Sequence, residues 1–156
     1  GDGAMLTFGI HKDDKKHCIN AICTAEIFIR LSDLMNSQRI AENLPPLQFR
    51  LGLHCGELLA GAIGSSERMQ STITGDTVNL ASRLCEQATP GHLLISEAVY
   101  ENQATKGMIM TGDKLPMIIK GKTGYINCYQ VNGLAPKFNR LLMQQEAEME
   151  AMQSYV

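Results

Sequence analysis

The most informative stretch of this sequence, residues 72–83, reads Thr-Ile-Thr-Gly-Asp-Thr-Val-Asn-Leu-Ala-Ser-Arg. It joins a polar turn to a predicted helix that carries Asn79 and Arg83 one turn apart. Because residues four apart on a helix share a face, these two side chains project together. The guanidinium of Arg is planar, always charged and carries several hydrogen-bond donors, and Asn adds a neutral amide. The pair could therefore hold a sugar oxygen and a phosphate at once. Taken in isolation, the same spacing would be an ordinary polar pair on an amphipathic helix.

The composition fits one globular domain. The chain has 156 residues, of which 44% are hydrophobic and 19% are charged, and these values are ordinary for a folded protein. A chain of this length suits a single domain. The formal net charge of -2 provides no basic field for a nucleic-acid backbone. We therefore expect one soluble domain with no nucleic acid among its partners.

The spacing of the cysteines and the lengths of the apolar runs predict where in the cell the chain lies. The five cysteines lie far apart and include no Cys-x-x-Cys pair, so neither a disulfide framework nor a zinc site is predicted. No apolar run approaches the roughly 18 residues that span a bilayer, and we expect no signal peptide before the domain. We expect no membrane segment in this chain and a cytoplasmic location, which would also suit the cytosolic domain of a larger, membrane-attached protein.

Hydrophobic spacing predicts the helices and strands. Apolar residues recur at intervals of three and four between residues 13 and 43, which indicates an amphipathic helix. Further helices are predicted over residues 76–88 and 97–103, with Ser96 capping the latter. Strands are predicted over residues 4–8, 49–54, 58–63, 93–96, 108–111 and 126–131. Residues 55–57 predict a hairpin turn between the second and third of these strands, and residues 65–74 predict a loop or an extended arm.

The order of these elements predicts a fold class. Long helices alternate with strands that are mostly linked by hairpins, which indicates an α+β fold whose sheet is covered by helices on one side. After residue 136 the composition changes, and Leu142, Met149 and Met152 fall in partial helical register. This tail is predicted to be a terminal helix that frays or lies on the domain surface. Sustained heptads are absent, which disfavours a dimerising coiled coil.

Residues 50–64 read Arg-Leu-Gly-Leu-His-Cys-Gly-Glu-Leu-Leu-Ala-Gly-Ala-Ile-Gly, and together with residues 72–83 they carry a family resemblance. The combined pattern closely resembles the catalytic domain of class III nucleotidyl cyclases, as in bacterial adenylate cyclases. Weaker matches extend the resemblance over residues 1–133, which leaves 134–156 as a C-terminal helical tail. The resemblance implies a ferredoxin-like core with a mainly antiparallel sheet and helices packed on it. It also implies an N-terminally truncated domain, because the family's first strand would precede Gly1.

The resemblance implies a reaction and a metal requirement. In this family the ribose 3'-hydroxyl attacks the α-phosphate of a nucleoside triphosphate in line, pyrophosphate departs, and two Mg²⁺ or Mn²⁺ ions assist. Such cations prefer carboxylate oxygens. Asp2, in a glycine-flanked turn, matches the second of the family's two metal-binding Asp residues, although by itself it would be an ordinary turn residue. The first metal-binding Asp would precede Gly1.

Asn79, Arg83 and Thr72 match three further positions of the family. Asn79 corresponds to the residue that positions the ribose, and Arg83 to the residue that stabilises charge on the α-phosphate. Thr72 falls where the family reads the purine, and a hydroxyl there favours ATP over GTP. Without the resemblance, Thr72 would be a β-branched residue in a strand.

The basic positions are less specific. Lys120 matches a lysine that holds the terminal phosphates, with Lys122 as an alternative, and Arg68 resembles another phosphate contact. Each of these charges could equally be solvated. His54 is interpreted as a structural histidine.

Three functions remain open on the sequence. The first is an adenylate cyclase that works as a head-to-tail homodimer with shared active sites, in which Asp2 comes from one protomer and the purine-reading and phosphate-binding residues from the other. The second is a non-catalytic module that binds nucleotide or dimerises through the same surface. The third is a guanylate cyclase.

Overall fold

The computed structural model describes residues 3–10, 14–65, 68–118, 124–136 and 138–140, with the backbone alone for residues 62–65 and 68–72. Three helices and seven strands follow one another in the described part of the chain. In chain order they are α1 (His17–Ala41), β1 (Leu51–Leu53), β2 (Leu59–Ser65), β3 (Arg68–Thr74), α2 (Asp76–Gln87), β4 (Leu93–Ser96), α3 (Glu97–Tyr100), β5 (Ile109–Thr111), β6 (Leu115–Ile118) and β7 (Tyr125–Leu134).

The strands form a mixed main sheet and a separate hairpin. The main sheet has the order β1-β4-β7-β5, and β6 also pairs with β7. β1 runs parallel to β4, with Leu51 opposite Leu93, and the remaining pairs are antiparallel. β2 and β3 pair only with each other in the described residues, from Leu59 opposite Thr74 to Ser65 opposite Arg68. The architecture is therefore α+β, as predicted.

Helices cover both faces of the sheet, whereas the sequence predicted one covered face. All four residues of β4 are buried, and successive side chains of a strand point to opposite faces. Leu93 and Ile95 belong to the cluster that α1 fills, together with residues of β7 and α3. Leu94 belongs to a second cluster, with Leu80 and Leu84 of α2. β4 is therefore enclosed between α1 and α2, which explains why its sequence is apolar without alternation.

The hairpin predicted around residues 55–57 is wrong. β1 and β2 are not paired: β1 joins β4 far along the chain, and β2 turns back onto β3. Residues 65–74, predicted as a loop or extended arm, contain β3. Its side chains are mostly polar, so a hydrophobic pattern did not reveal it; the strand is defined by the backbone pairing of its residues with β2.

Several smaller predictions also differ from the structure. Residues 4–8 are not a strand, and those side chains are mostly exposed. α3 ends at Tyr100, three residues before its predicted end, and β6 was not predicted. Ser96 precedes α3 but makes no side-chain capping bond. Its hydroxyl lies 2.8 Å from Nδ1 of His54, because the end of β4 is buried beside β1.

The start of the predicted C-terminal tail packs against α1. Phe138 is partly buried against the cluster that α1 fills, and the guanidinium of Arg30 donates to the side-chain carbonyl of Asn139. Residues 141–156 lie outside the described residues. The division into a catalytic part and a surface tail therefore stays a prediction.

Candidate functional site

The site is built on the first two turns of α2, which begin immediately after the β2–β3 hairpin. Gly75 precedes the helix with φ of 142°, a value in the region that favours glycine. Its carbonyl accepts from the backbone N–H groups of Val78 and Asn79, at 3.1 and 3.2 Å. Asp76 in the first turn complements the positive end of the helix dipole. A tight turn thus fixes where the helix starts.

Buried leucines hold the inner face of α2 against the sheet, and this packing fixes which residues lie on its outer face. Leu84 is fully buried and Leu80 is 9% exposed, and both pack against Leu94 of β4. Asn79 and Arg83 lie on the exposed side of the same helix. As predicted from the spacing of four residues, the structure places the amide and the guanidinium one turn apart on a shared surface.

β1 approaches α2 so closely that only glycine fits between them. A Cβ added at Gly52 would lie 2.1 Å from the backbone nitrogen of Cys85 and 2.5 Å from the carbonyl oxygen of Ala81. Atoms of the helix backbone cannot rotate away as a side chain could. Gly52 therefore sets the distance between α2 and the sheet, and with it the position of Asn79 and Arg83.

The loop after β1 supports the beginning of α2. Thr77 donates its hydroxyl hydrogen to the carbonyl oxygen of Glu57. A Cβ at Gly56 would lie 2.8 Å from that hydroxyl oxygen, so the loop passes directly over the first turn. Beside this contact lies a cavity of about 370 Å³, lined by the residues 5–10, the first turns of α1, the end of β1 with the loop that follows, and the first turns of α2.

Arg83 is paired weakly within its own helix. Its Nη1 atom lies 3.0 Å from Oε2 of Glu86, and the two side chains are 49% and 55% exposed. Exposed pairs of this kind are worth roughly 0–1 kcal/mol. An anionic ligand could therefore replace Glu86 at the guanidinium at little cost.

The structure describes only the backbone of Thr72 and Arg68. Thr72 lies on β3, opposite Gly61 and two residues before the end of the strand, so its backbone is close to the start of α2. Arg68 begins β3, opposite Ser65. Four residues of extended chain separate the Cα atoms of Arg68 and Thr72 by roughly 13 Å. Asp2 and Lys120 lie outside the described residues.

A polar cluster that the sequence did not reveal joins Lys114, the residue before β6, to β7 and α3. Lys114 Nζ lies 2.7 Å from Oε1 of Glu97, and the Asn127 amide donates to both carboxylate oxygens, at 3.0 and 2.9 Å. The hydrogen bond from Lys114, followed by that from Asn127, lowers the pKa of Glu97. These residues are up to 30 positions apart, and nothing in their local patterns connects them.

Within the part of the chain that the structure describes, no three His, Cys, Asp or Glu side chains are grouped so that they could hold a metal ion. In that same part, no helix combines the length and hydropathy needed to cross a lipid bilayer.

Comparison with known proteins gives one consistent result. The model of the adenylate and guanylate cyclase catalytic domain matches residues 1–133. Adenylate cyclase 1 of Rhizobium meliloti (strain 1021) is 31% identical over 142 residues, which cover 89% of this chain and 21% of that protein. The chain therefore spans about a fifth of the length of that relative.

Solved structures agree with the sequence relatives. The adenylyl cyclase CyaB from P. aeruginosa superposes with a TM-score of 0.74 at 30% identity, over 83% of this chain and 66% of that one. The guanylate cyclase domain of RhGC from Catenaria anguillulae in complex with GTP superposes with a TM-score of 0.70 at 29% identity, over 82% of this chain and 66% of that one. The predicted cyclase fold is confirmed, and its relatives include enzymes named for each of the two nucleotides.

Proposed function

Because this chain belongs to the adenylate and guanylate cyclase catalytic domain family, we propose that it converts ATP to 3',5'-cyclic AMP and pyrophosphate in signal transduction. The observation that carries the proposal is the exposed face of α2. Asn79 and Arg83 project from it side by side, while Leu80 and Leu84 hold the opposite face in the core. A rigid element with two convergent donors suits the binding of a ribose oxygen and an α-phosphate.

The proposed roles follow the geometry of the helix. Asn79 would orient the ribose so that its 3'-hydroxyl faces the α-phosphate, and Arg83 would stabilise the charge that develops on that phosphate in the transition state. The guanidinium is half exposed in its weak ion pair with Glu86, so an anionic ligand would replace the carboxylate there. Lys120 and Arg68 would contact the outgoing phosphates.

ATP is the proposed substrate because of Thr72 and the adenylate cyclase relatives. A hydroxyl can accept a hydrogen bond from the adenine amino group, and the backbone at Thr72 leads directly into the turn before α2. The relative from Rhizobium meliloti and CyaB are both named as adenylate cyclases. The alternative is a guanylate cyclase, which the similarity to a structure in complex with GTP favours.

Two Mg²⁺ or Mn²⁺ ions complete the proposal. Class III cyclase domains are generally metal-dependent, and when bound such ions would lower the pKa of the attacking hydroxyl and neutralise the leaving pyrophosphate. Asp2 is the residue of this chain proposed to hold them.

A homodimer would bring the halves of the site together. The exposed position of Asn79 and Arg83 leaves them free to face a second protomer, whose Asp2 would supply the carboxylate. Each interface of this kind forms two equivalent sites. We place the reaction in the cytoplasm, where ATP is available and where thiols stay reduced, as the five free cysteines would require.

The test compares nucleotides and variants in the intact natural protein that contains these residues. With Mn²⁺ present, we expect cyclic AMP from ATP at a higher kcat/KM than cyclic GMP from GTP. Arg83→Ala should lower kcat roughly a hundredfold or more, with a much smaller change in KM. Ser82→Ala changes an exposed neighbour on the same helix and serves as the matched control.

Each outcome distinguishes one function from another. A higher kcat/KM for GTP would replace the adenylate cyclase with a guanylate cyclase. Nucleotide binding without product from either substrate would indicate the non-catalytic module. Equal turnover by wild type and Arg83→Ala would remove Arg83 from the mechanism.

A further inference from the structure

Two cysteines that are distant in sequence meet at the cavity beside α2. Cys18 lies in the first turn of α1 within the buried core cluster, and Cys55, in the loop after β1, packs against that cluster. Both line the cavity of about 370 Å³. Cys18 is only 2% exposed, whereas Cys55 is partly exposed. A small reagent in the cavity would therefore reach Cys55 first.

A histidine prepares Cys55 for reaction. Nδ1 of His17 lies 2.6 Å from the carbonyl oxygen of Asp14. Because a carbonyl only accepts, Nδ1 carries a proton, and the hydrogen bond between His17 and Cys55 is left to the other ring nitrogen. This bond and the charge interaction with His17 both lower the pKa of Cys55.

The two thiols differ in acidity. The hydrogen bond from Cys18 is the largest effect on Cys55, and with His17 it outweighs burial and lowers the pKa of Cys55 to about 7. The same hydrogen bond and burial raise the pKa of Cys18. Cys55 is therefore the sulfur that ionises near neutral pH, whereas Cys18 stays a thiol, and the thiolate is the form that attacks an oxidant.

Within the described residues, the surroundings of Cys23, Cys85 and Cys128 differ from those of Cys18 and Cys55. The Cys85 thiol donates to the backbone carbonyl of Arg50 at 3.1 Å, and the Cys128 thiol to that of Leu115 at 3.1 Å. Burial raises the pKa of Cys23 and of Cys128.

We propose that Cys18 and Cys55 form an oxidisable dithiol, which a peroxide closes to a disulfide. The Cys55 thiolate attacks a peroxide oxygen and the O–O bond breaks, which gives a sulfenic acid at Cys55 and, after protonation of the leaving hydroxide, one water. The Cys18 sulfur then attacks the Cys55 sulfur. The S–S bond forms, the sulfenic hydroxyl leaves, and the Cys18 proton accompanies it as a second water. Two thiols are oxidised and one peroxide is reduced, and a reducing thiol reverses the change.

The disulfide would act on the support of α2. It would join the first turn of α1 to the loop that contacts Thr77 through Gly56 and Glu57. That loop contacts the start of the helix that carries Asn79 and Arg83, so oxidation would restrict the movement of the loop and of the first turn of α2. The dithiol itself does not depend on the proposed cyclase activity.

The test maps disulfides in the full chain. The reduced protein is treated with a small molar excess of hydrogen peroxide, alkylated under denaturing conditions and digested with trypsin. We expect the free thiols to fall from five by two, and the peptides 17–30 and 51–68 to be linked. Fragmentation of the linked pair should place the bond on Cys18, not on Cys23, which lies in the same peptide.

Variants separate this bond from the alternatives. Cys23→Ser should keep the linked peptides, and Cys55→Ser should lose them. The inference is overturned if the wild-type Cys55 is consumed without a link to Cys18, or if the link persists in Cys18→Ala. Should Cys18→Ala fail to fold, the wild-type map and Cys23→Ser decide the question.

Discussion

Replacement of Gly52 by Ala should displace the helix that carries the candidate site. The added Cβ would lie 2.1 Å from the backbone nitrogen of Cys85, which is 1.3 Å less than the 3.4 Å at which ordinary contact begins. A second clash, at 2.5 Å, involves the carbonyl oxygen of Ala81. Both atoms belong to the backbone of α2, so the clash can be relieved only when the helix or β1 moves by about 1 Å.

The expected cost has two parts. Overpacking of this kind typically destabilises a protein by about 1–3 kcal/mol, and we expect Gly52→Ala at the upper end because no side chain can yield. A displacement of about 1 Å at a catalytic group can lower turnover roughly a hundredfold. Urea denaturation followed by circular dichroism measures the first effect, and cyclic nucleotide production measures the second.

Gly61→Ala is the matched control. Gly61 lies in β2, and a Cβ added there would meet nothing within 4 Å among the described atoms. The substitution changes the same residue type in a strand but adds no clash, so its unfolding midpoint should stay close to that of wild type. If Gly52→Ala and Gly61→Ala unfold at the same urea concentration, that result contradicts the inference that β1 lies too close to α2 for any residue but glycine.

Three further predictions concern charged and titrating groups. Glu86→Gln removes the ion pair of Arg83, and because the pair is exposed, the free energy of unfolding should change by less than about 1 kcal/mol in urea denaturation. The pKa of Glu97 is lowered from its ordinary 4.5 by Lys114, so this pair contributes stability above pH 4.5 that is lost as the pH falls through the lower folded value; Lys114→Met should remove that part of the pH dependence of the urea midpoint. Cys18 and His17 lower the pKa of Cys55 to about 7, and His54 also lines the cavity. The rate at which iodoacetamide alkylates Cys55 should therefore rise through pH 7, and Cys18→Ala should move the midpoint of this pH dependence towards 9.0. An unchanged midpoint would contradict the thiol pair.

The sequence predicted the elements whose signals are local. α2 was expected over residues 76–88 and observed as Asp76–Gln87, because a glycine turn begins it and Pro90 follows it closely. β4 was found at its predicted residues, because a short apolar run has few alternatives. The projection of Asn79 and Arg83 from one face follows from helical geometry alone.

Pairing between distant strands could not be predicted in the same way. Residues 55–57 have the composition of a turn, yet the backbone of β1 is paired with Leu93 to Ile95, about forty residues away. β3 has polar side chains, which predict a loop or an extended arm, since only its hydrogen bonds to β2 make it a strand. Cys18 and Cys55 come together for the same reason: the parallel pairing of β1 with β4 brings the end of β1 beneath the first turn of α1.

The inner face of α2 fixes the position of the candidate site, and the outer face carries the residues proposed to bind substrate. The inner face depends on apolar contacts of Leu80 and Leu84 and on the bare backbone at Gly52, while the outer face carries Asn79, Arg83 and one weak ion pair. Substitutions on the outer face should therefore lower activity with little loss of stability, and those on the inner face should lower both. Leu84→Ala, which empties a fully buried position, should cost about 2–5 kcal/mol. Arg83→Ala should leave the urea midpoint nearly unchanged. If Arg83→Ala instead destabilised the fold as much as Leu84→Ala, the guanidinium would belong to the framework of the domain and the assignment of α2 as a binding surface would fail.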